Sequence, residues 1–379
     1  RDGLGLISRE EITPMTLAQV HVRKDELTNA ALVEAETGDL AEGAIRLAVE
    51  SFSVTANNIT YAVVGDGFGY WNFFPPKADD PDGLGIVPMW GHAKVTHSNH
   101  PDIAVGERVY GYLPMGTQLD VKPGNVTAMS FSDTTDYRQP MSPVYNQYTR
   151  LAADPEHDPA RENERMIYGP LFKTGFIIDY FMRSETWFGA EQVVLTSASS
   201  KTAMGLASCA KQASPGIRRI GLTSAGNVDF VKSTGLYDEV VSYDDVGSMA
   251  VEPTVTVDFA GNAKLLASLH NHFGDSLKYS CLVGATHIEE RGAGLGAAAE
   301  LPGPKPTLFF APDHFVAFFK EHGPVEGGKL AAMAWHGFLA SVEGAIEIET
   351  HAGLDAARTT YLAMLSGDID PAKGIVIEP

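Results

Sequence analysis

The sequence predicts an α/β protein in which a domain of short strands precedes a parallel sheet covered by helices on both faces. In the first third of the chain, short segments of alternating polarity are bounded by glycine and proline, which is typical of a small barrel-like β domain. From Gly169 onward, nearly continuous apolar segments alternate with segments of helical periodicity. Strands of this kind, separated by helices, indicate a doubly wound parallel sheet.

The individual elements follow in order along the chain. Strands of the β domain are predicted in GAIRLAVESFSV, HAKVTHS and VGERVYGYLPM. A helix is predicted in GPLFKTGFIIDYFMRSE, and the strands of the parallel sheet in QVVLTS, RRIGLTS, EVVSYDD, TVTVDFAG and LKYSCLVGAT. A loop rich in glycine, alanine and proline begins at Gly292. The chain closes with a helix that ends near Gly367 and a strand in GIVIEP.

The length and these changes of pattern together predict two domains. At 379 residues the chain is long enough for two hydrophobic cores, because single cores seldom grow beyond roughly 250 residues. We divide it into residues 1–168, the β domain, residues 169–320, the α/β domain, and residues 321–379, a segment that returns to the first domain.

Charge and cysteine content exclude several classes of function. A formal net charge of -20 argues against a nucleic-acid partner, because binding to phosphates depends mainly on Lys and Arg. The two cysteines are too few for a disulfide framework or a four-thiolate zinc site. No apolar run reaches the roughly 20 residues that a membrane span needs. We therefore expect a reduced cytoplasmic protein with no membrane partner.

The segment VVLTSASSKTAMG is a candidate phosphate-binding turn between a strand and a helix. The strand is predicted to end at Thr196 and the helix to begin near Lys201. Ser199 and Ser200 occupy turn positions where glycines usually allow a dinucleotide to approach the backbone, and Ala203 stands where a small residue lets the helix pack on the sheet. By pattern alone, both a phosphate site and an ordinary strand-turn-helix remain open.

The end of the next strand distinguishes NADP from NAD. The segment RRIGLTSAGN ends in Thr223 and Ser224, where an NAD site normally offers a carboxylate to the ribose 2'-hydroxyl. Without that carboxylate a 2'-phosphate is not repelled. Lys201 would place a positive charge beside the phosphate; the alternative is that its side chain is only solvated.

Several segments, taken in order, resemble the medium-chain dehydrogenase/reductase superfamily, and more narrowly its zinc-free quinone oxidoreductase branch. They are VPMWGHAKVTHSNHPDIAVGERVYGYLPMG, VYNQYTRL, GPLFKTGF, VVLTSASSKTAMGLA and GLTSAGNVDFVKSTGLYDEVVSYDD. The combination of FSVTANNITYAVVGDGFGYWNFFPP with SASSKTA and FFAPDH is similar to a bacterial and fungal group within that superfamily that carries only a domain-of-unknown-function label.

The resemblance implies a GroES-like β domain, a Rossmann domain, and a nicotinamide cofactor, NADP(H), in the cleft between them. It also implies a homodimer. Val228 stands where the branch has a Lys that contacts the 2'-phosphate. Carried over residue by residue, the expected cofactor-binding residues are Thr174, Ser197, Ala198, Ser199, Lys201, Thr202, Ala203, Ser224, Asn227, Tyr243 and Gly284.

The histidines His92, His97 and His100 raise the question of a metal. In zinc-dependent relatives the histidine of a Gly-His-Glu turn is a ligand, but here Ala93 replaces the Glu and no cysteine precedes Cys209. A catalytic zinc needs two further ligands in fixed geometry. We expect no metal, although an alcohol dehydrogenase with an unusual metal site through His92 is an alternative.

Without zinc, a side chain must stabilise the charge that develops on the substrate oxygen or protonate the product. Tyr61 resembles the active-site tyrosine of the zinc-free branch, and Asn57 or Asn58 would supply a second donor; the alternatives are a core tyrosine and a structural turn. The aromatic segment GYWNFFPP is a pocket candidate, with a core or interface role as the alternative, and His314 is expected at the surface.

These observations predict an NADPH-dependent, zinc-independent oxidoreductase acting on a small molecule. The hydride acceptor is expected to be an activated carbonyl or carbon–carbon double bond, of the quinone or enone type. The alternative is an NADP-binding sensor or interaction protein that has lost catalysis, which the unusual SASSKTA turn favours.

Overall fold

The computed structural model describes residues 16–79, 81–283 and 301–379. The first part of the chain forms one sheet of three strands and most of a larger, mainly antiparallel sheet. Helix α1 (Ala56–Val63) follows the third strand of the chain. The strands are β1 (Thr16–Arg23), β2 (Glu26–Glu36), β3 (Ile45–Val54), β4 (Leu84–Gly85), β5 (Pro88–Ser98), β6 (Arg108–Pro114), β7 (Gln118–Val121), β8 (Pro123–Gly124), β9 (Ser130–Asp133) and β10 (Gln147–Arg150).

The second part of the described chain alternates helices and strands. Its helices are α2 (Glu162–Ser184), α3 (Lys201–Ala213), α4 (Val228–Ser233), α5 (Ala263–Phe273), α6 (Ala311–Ser341) and α7 (Leu354–Ser366). Its strands are β11 (Gln192–Thr196), β12 (Arg218–Thr223), β13 (Glu239–Ser242), β14 (Thr254–Asp258), β15 (Leu277–Leu282), β16 (Thr307–Leu308), β17 (Glu347–Ala352) and β18 (Lys373–Glu378). Gly284 and the start of the predicted loop at Gly292 lie outside the described residues.

Strand β3 lies within the large antiparallel sheet, whose order is β17-β18-β3-β5-β6-β10-β9-β8, with β7 also paired to β3. Strand β18, which pairs with β3, and strand β17, which pairs with β18 in the parallel direction, come from the end of the chain. Ile375 and Ile377 of β18 lie opposite Val54 and Phe52 of β3, and all four side chains are buried. Burial of these apolar residues explains why the last segment completes a sheet that the first segment begins.

The second large sheet is parallel, with the order β13-β12-β11-β14-β15-β16. Every residue of β11 is buried, as the continuous apolar segment QVVLT predicts for a central strand covered on both faces. The strand order reverses between β11 and β14, which opens a crevice at the carboxyl ends of the strands. The predicted combination of a β domain and a doubly wound parallel sheet is therefore confirmed.

Helix α2 is longer than the sequence pattern predicted. We expected it to begin at Gly169, but it begins at Glu162 and contains Pro170. A proline inside a helix has no N–H to donate to the carbonyl four residues earlier. Here that carbonyl belongs to Met166, and it accepts a hydrogen bond of 2.6 Å from the Ser53 hydroxyl in β3. The antiparallel sheet thus satisfies the group that proline leaves unpaired.

The two predicted domain boundaries fall inside helices. The boundary between residues 168 and 169 lies within α2, and that between residues 320 and 321 lies within α6. Helix α6 has a break at Gly323, whose φ of 74° is in the left-handed region, followed by Pro324. The division of the chain into those three ranges stays a prediction.

Helices α2 and α3 approach so closely that their backbones touch. A Cβ atom built on Gly175 would lie 2.5 Å from the backbone nitrogen of Leu206 and 2.8 Å from the carbonyl oxygen of Thr202. On the facing helix, a Cβ on Gly205 would lie 3.1 Å from the Cα of Phe172. Only glycine therefore fits at position 175 without moving one helix away from the other.

Replacing Gly175 with alanine tests this contact. Because the added methyl group would meet backbone rather than a flexible side chain, we expect Gly175→Ala to lower the free energy of unfolding by about 1–3 kcal/mol. Chemical denaturation of the variant and the wild type measures the difference. Gly216→Ala is the matched control, since a Cβ at Gly216 meets nothing within 4 Å. Equal stability of the two variants would show that the close contact is not a constraint.

Candidate functional site

A cavity of about 480 Å³ lies between the antiparallel sheet and the carboxyl edge of the parallel sheet. Its walls come from parts of the chain that are far apart in sequence. They include the segment from the end of β3 through α1 to Tyr70, one face of α2, the turn between β11 and α3, the segment from β16 into α6, and the segment before and within β18. Residues from these segments include Asn57, Thr174, Ser197, Phe310 and Asp370. Further lining residues are Tyr145, Phe259, Val283 and Met364.

The turn after β11 presents the N-terminus of α3 to this cavity. Ser197 has a φ of 47°, a left-handed conformation that glycine adopts most easily. Ser200 is the N-cap, and its hydroxyl accepts a hydrogen bond of 3.2 Å from the N–H of Ala203. Because the first N–H groups of a helix have no intrahelical partners, this end attracts anions.

Four other polar side chains of the site belong to the turn or follow the strands beside it. The Tyr243 hydroxyl accepts a hydrogen bond of 3.1 Å from the N–H of Ser197, and Asn227 donates one of 3.3 Å to the Ser199 hydroxyl. Ser224 is exposed directly after β12. The structure thus brings together the residues that were predicted around a pyrophosphate and a 2'-phosphate.

Four more predicted cofactor residues divide into cavity-lining and buried groups. Thr174 and Thr202 line the cavity, whereas Ala198 and Ala203 are fully buried beside it. The carbonyl of Ala198 accepts a hydrogen bond of 2.8 Å from the buried hydroxyl of Tyr237. The two alanines therefore support the turn by packing, while the threonines offer hydroxyl groups to the cavity.

Lys201 makes specific contacts at the cavity wall. Its Nζ donates hydrogen bonds to the carbonyl oxygens of Pro371 at 2.7 Å and Lys373 at 3.3 Å. Burial lowers the pKa of the ammonium group to about 8, and the nearby carboxylate of Asp370 opposes that effect. Lys201 thus ties the helix of the parallel sheet to the C-terminal segment, and the alternative of a simply solvated lysine is wrong.

Tyr61 lies behind the cavity wall. It is 4% exposed, and its hydroxyl oxygen accepts hydrogen bonds from Asn57 Nδ2 at 2.6 Å and Trp90 Nε1 at 3.0 Å. Burial raises the pKa of this hydroxyl. Asn57 lines the cavity, whereas Tyr61 is not among the residues that do so.

Two tyrosines line the cavity where the sequence pointed to Tyr61. The hydroxyl oxygens of Tyr70 and Tyr145 are 3.0 Å apart. The aromatic segment around Tyr70 was a pocket candidate, but its Trp71 and Phe73 are core residues. Nothing in the sequence near Tyr145 indicated a site, because its position depends on the pairing of β10 with β6.

The histidines do not converge on one point. His92 is fully buried in β5, and burial lowers its pKa to about 3. His97 is exposed and lies five residues along the same strand, roughly 15 Å away, which is too far for both imidazoles to bind one ion. Among the described residues, no group of three or more His, Cys, Asp or Glu side chains could hold a metal ion.

His314 is half-buried at the start of α6 and is not among the residues that line the cavity. Its ring stacks on that of Phe309 with centroids 4.0 Å apart and also contacts the ring of Phe181. Aromatic side chains therefore cover part of this residue, which was expected at the surface.

In the described part of the chain, no helix has the length and apolar character to cross a membrane.

Comparison with known proteins places the chain as follows. A family model described as "Protein of unknown function (DUF2855)" matches residues 52–370. No curated protein sequence matches the chain. Among solved structures, the quinone oxidoreductase of Pseudomonas syringae pv. Tomato DC3000 is 16% identical with a TM-score of 0.58, and the match covers 96% of this chain and 100% of that one.

Two other solved structures were obtained with a cofactor. CurA from Vibrio vulnificus in complex with NADPH is 15% identical, with a TM-score of 0.55 over 95% of this chain and 98% of that one. The yhdH oxidoreductase from Salmonella enterica in complex with NADP is 13% identical, with a TM-score of 0.50 over 96% of this chain and 100% of that one. These likenesses confirm the two-domain fold that the resemblance implied.

The depressed pKa of Lys201 makes a prediction about stability. In the unfolded chain a lysine titrates near pH 10.4, so between pH 8 and that value the unfolded state binds more protons than the folded state. We therefore expect wild-type stability to rise across this window relative to Lys201→Met and Lys201→Arg, neither of which titrates there. Denaturation at several pH values measures the difference, and a constant difference for both variants would contradict the assignment.

Proposed function

The chain belongs to the DUF2855 family, and we propose that it is an NADPH-dependent, zinc-independent oxidoreductase that transfers a hydride to an activated carbonyl or carbon–carbon double bond. Quinones and enones are the expected types of substrate. The observation that carries the proposal is the cavity itself. It joins the N-terminus of α3 on one side to the polar groups of Asn57, Tyr70 and Tyr145 on the other.

The residues of the turn suit a dinucleotide pyrophosphate. Ser197, Ser199, Ser200 and Thr202 line the cavity with hydroxyl groups beside the helix N-terminus. Lys201 adds the one positive charge of this turn, and an ammonium donates up to three hydrogen bonds, of which the carbonyls of Pro371 and Lys373 use two. Glycines in such a turn let the phosphates approach the backbone closely. In this turn the serine hydroxyls would instead donate charge-assisted hydrogen bonds to the phosphates.

Preference for NADP over NAD rests on the end of β12. Ser224 is exposed there, and Asn227 follows it at the start of the next helix. Neither residue carries a negative charge that would repel a 2'-phosphate. Tyr243, at the end of β13, lies next to the same turn through its contact with Ser197. CurA and the yhdH oxidoreductase, which share the fold, were solved with NADPH and NADP.

When bound, the cofactor would supply the hydride, and residues of this chain would hold the substrate and exclude water from it. The face of α2 that carries Ile167, Leu171 and Thr174 forms one wall of the cavity. These side chains are spaced by four and three residues, so they share one side of the helix. Ile167 and Leu171, together with Phe68 and Phe310, give an apolar surface that excludes water and suits a small, uncharged molecule.

Zinc independence rests on the residues at the metal position of zinc-dependent relatives. Ala93 follows His92 where those relatives have Glu, and the first cysteine is Cys209. We also propose a homodimer in the cytoplasm. Metal analysis of the purified protein tests the first point, and light scattering, with two chains of 40.6 kDa expected per particle, tests the second.

Calorimetric titration with NADPH and NADH tests the cofactor assignment. We expect the wild type to bind NADPH more tightly, and Ser224→Asp to weaken NADPH binding roughly tenfold or more by like-charge repulsion. Binding of NADH should change little or improve, because a carboxylate there accepts a hydrogen bond from the 2'-hydroxyl. Ser224→Asn, of the same size without the charge, is the matched control. Equal affinity of all three proteins for NADPH would contradict a 2'-phosphate site beside Ser224.

A substrate panel then separates an enzyme from a binding protein. We expect saturable oxidation of NADPH with at least one compound among quinones, enones, aldehydes and ketones. Binding of NADPH without turnover of any of these compounds would favour the alternative of a catalytically inactive NADP-binding sensor.

A further inference from the structure

We propose that the hydroxyl groups of Tyr70 and Tyr145 act as one hydrogen-bond donor that binds the substrate oxygen, and that Tyr61 positions this pair without touching the substrate. The inference rests on the proposed function, because it assigns the second half of the same cavity. It differs from the expectation drawn from the sequence, which gave Tyr61 the donor role. Both Tyr70 and Tyr145 line the cavity, and their oxygens are 3.0 Å apart.

Counting hydrogens shows why the pair can donate. Each hydroxyl has one hydrogen, and only one of the two is needed for the bond between Tyr70 and Tyr145. The neighbouring Tyr61 oxygen already accepts bonds from Asn57 and Trp90, so in its hydrogen bond with Tyr145 it is the donor and does not take the second hydrogen. One hydrogen of the pair is therefore left for an oxygen atom in the cavity.

Aromatic packing holds the pair in place before any ligand arrives. The ring of Tyr61 lies 4.5 Å from that of Tyr70 and 6.1 Å from that of Tyr145, measured between centroids. Tyr112 lies 4.8 Å from Tyr145 on another side. A donor that is already fixed loses little entropy when it binds the charge that develops on a substrate oxygen.

The same packing keeps both hydroxyls neutral. Burial raises the pKa of Tyr70, and it raises that of Tyr145 well above the ordinary value. Neutral hydroxyls donate hydrogen bonds, whereas phenolates only accept them. The pair therefore suits a neutral oxygen acceptor such as a carbonyl group.

Tyr61 has a different task. Its oxygen pairs the side-chain N–H groups of Asn57 and Trp90, which would otherwise lack that partner. Loss of this hydroxyl would disturb the packing around Tyr70 but would leave the donor hydrogen of the pair. This distinguishes a positioning residue from residues that touch the substrate.

Phe68 connects the pair to the opposite wall of the cavity. Its ring is stacked 6.4 Å from that of Tyr70 and lies 6.2 Å from that of Phe310, which belongs to the segment before α6. Both phenylalanines are partly exposed and line the cavity. An unsaturated carbonyl compound would thus have its flat carbon skeleton beside aromatic rings and its oxygen at the tyrosine pair.

A chromophoric enal tests the assignment directly. The absorption band of 4-(dimethylamino)cinnamaldehyde moves to longer wavelength when its carbonyl oxygen accepts a hydrogen bond. We expect this compound to bind the wild-type protein, with and without NADP⁺, and to show the shift. Since Tyr70→Phe or Tyr145→Phe alone leaves one hydroxyl, each should raise Kd a few-fold. The double variant should raise Kd roughly tenfold or more and abolish the shift.

Two further variants separate binding from folding. Tyr61→Phe should alter Kd but keep the shift, and Tyr137→Phe, at an exposed tyrosine outside the cavity, should change neither. A shift that persists in the Tyr70 and Tyr145 double variant, or disappears with Tyr61→Phe alone, would overturn the proposal. So would failure of the wild type to bind the enal.

Calorimetry with NADP⁺ on the same variants reports on the proposed function separately. Unchanged NADP⁺ binding in the double variant shows that the fold and the cofactor half are intact. If the enal binds with the expected shift while NADP⁺ does not bind at all, the tyrosine assignment stands and the proposed function fails.

Discussion

The position of helix α2 is the constraint on which the cavity depends. At Gly175 its backbone touches that of α3, where a Cβ atom would come within 2.5 Å of a backbone nitrogen. At Met166 its free carbonyl binds Ser53 of the antiparallel sheet. One helix therefore contacts both halves of the molecule through its backbone, and the face between these contacts forms a cavity wall.

The site is assembled from segments that are far apart in the chain. Lys201, at the start of α3, binds carbonyls 170 and 172 residues later. The pair formed by Tyr70 and Tyr145 spans 75 residues. Such contacts form only when both sheets are complete, so the polar groups of the cavity are a property of the whole fold rather than of one motif.

Much of the fold could be predicted from the sequence because its signals are local. The strand ending at Thr196, the helix beginning at Lys201 and the last helix ending near Gly367 follow from apolar periodicity and turn chemistry. The start of α2 was missed, because helical apolar spacing was recognised only from Gly169, whereas the helix begins at Glu162 and continues through Pro170. The helix tolerates this proline because the Ser53 hydroxyl donates a hydrogen bond to the Met166 carbonyl, which the proline leaves unpaired. The periodicity of apolar residues gives no sign of that bond.

The candidate site likewise contains residues that the sequence predicted and residues that it did not. The phosphate turn was predicted because its residues are consecutive, and the structure brings Ser199, Asn227 and Tyr243 together around it. Tyr145 and the wall around Asp370 were missed. Tyr145 lies in VYNQYTRL, which indicated the fold but no site residue, and Asp370 lies in none of the segments that carry the resemblance. Tyr61 was named because it resembles the active-site tyrosine of the zinc-free branch, and the sequence does not show that neighbouring side chains cover it.

Amide hydrogen exchange with and without saturating NADP⁺, followed by mass spectrometry, tests most directly whether the cavity binds the dinucleotide. If it does, exchange should slow in residues 197–203 and 369–375 and stay unchanged in the distant hairpin of residues 16–36. No slowing in the first two segments at a saturating concentration would show that the cofactor binds elsewhere or not at all.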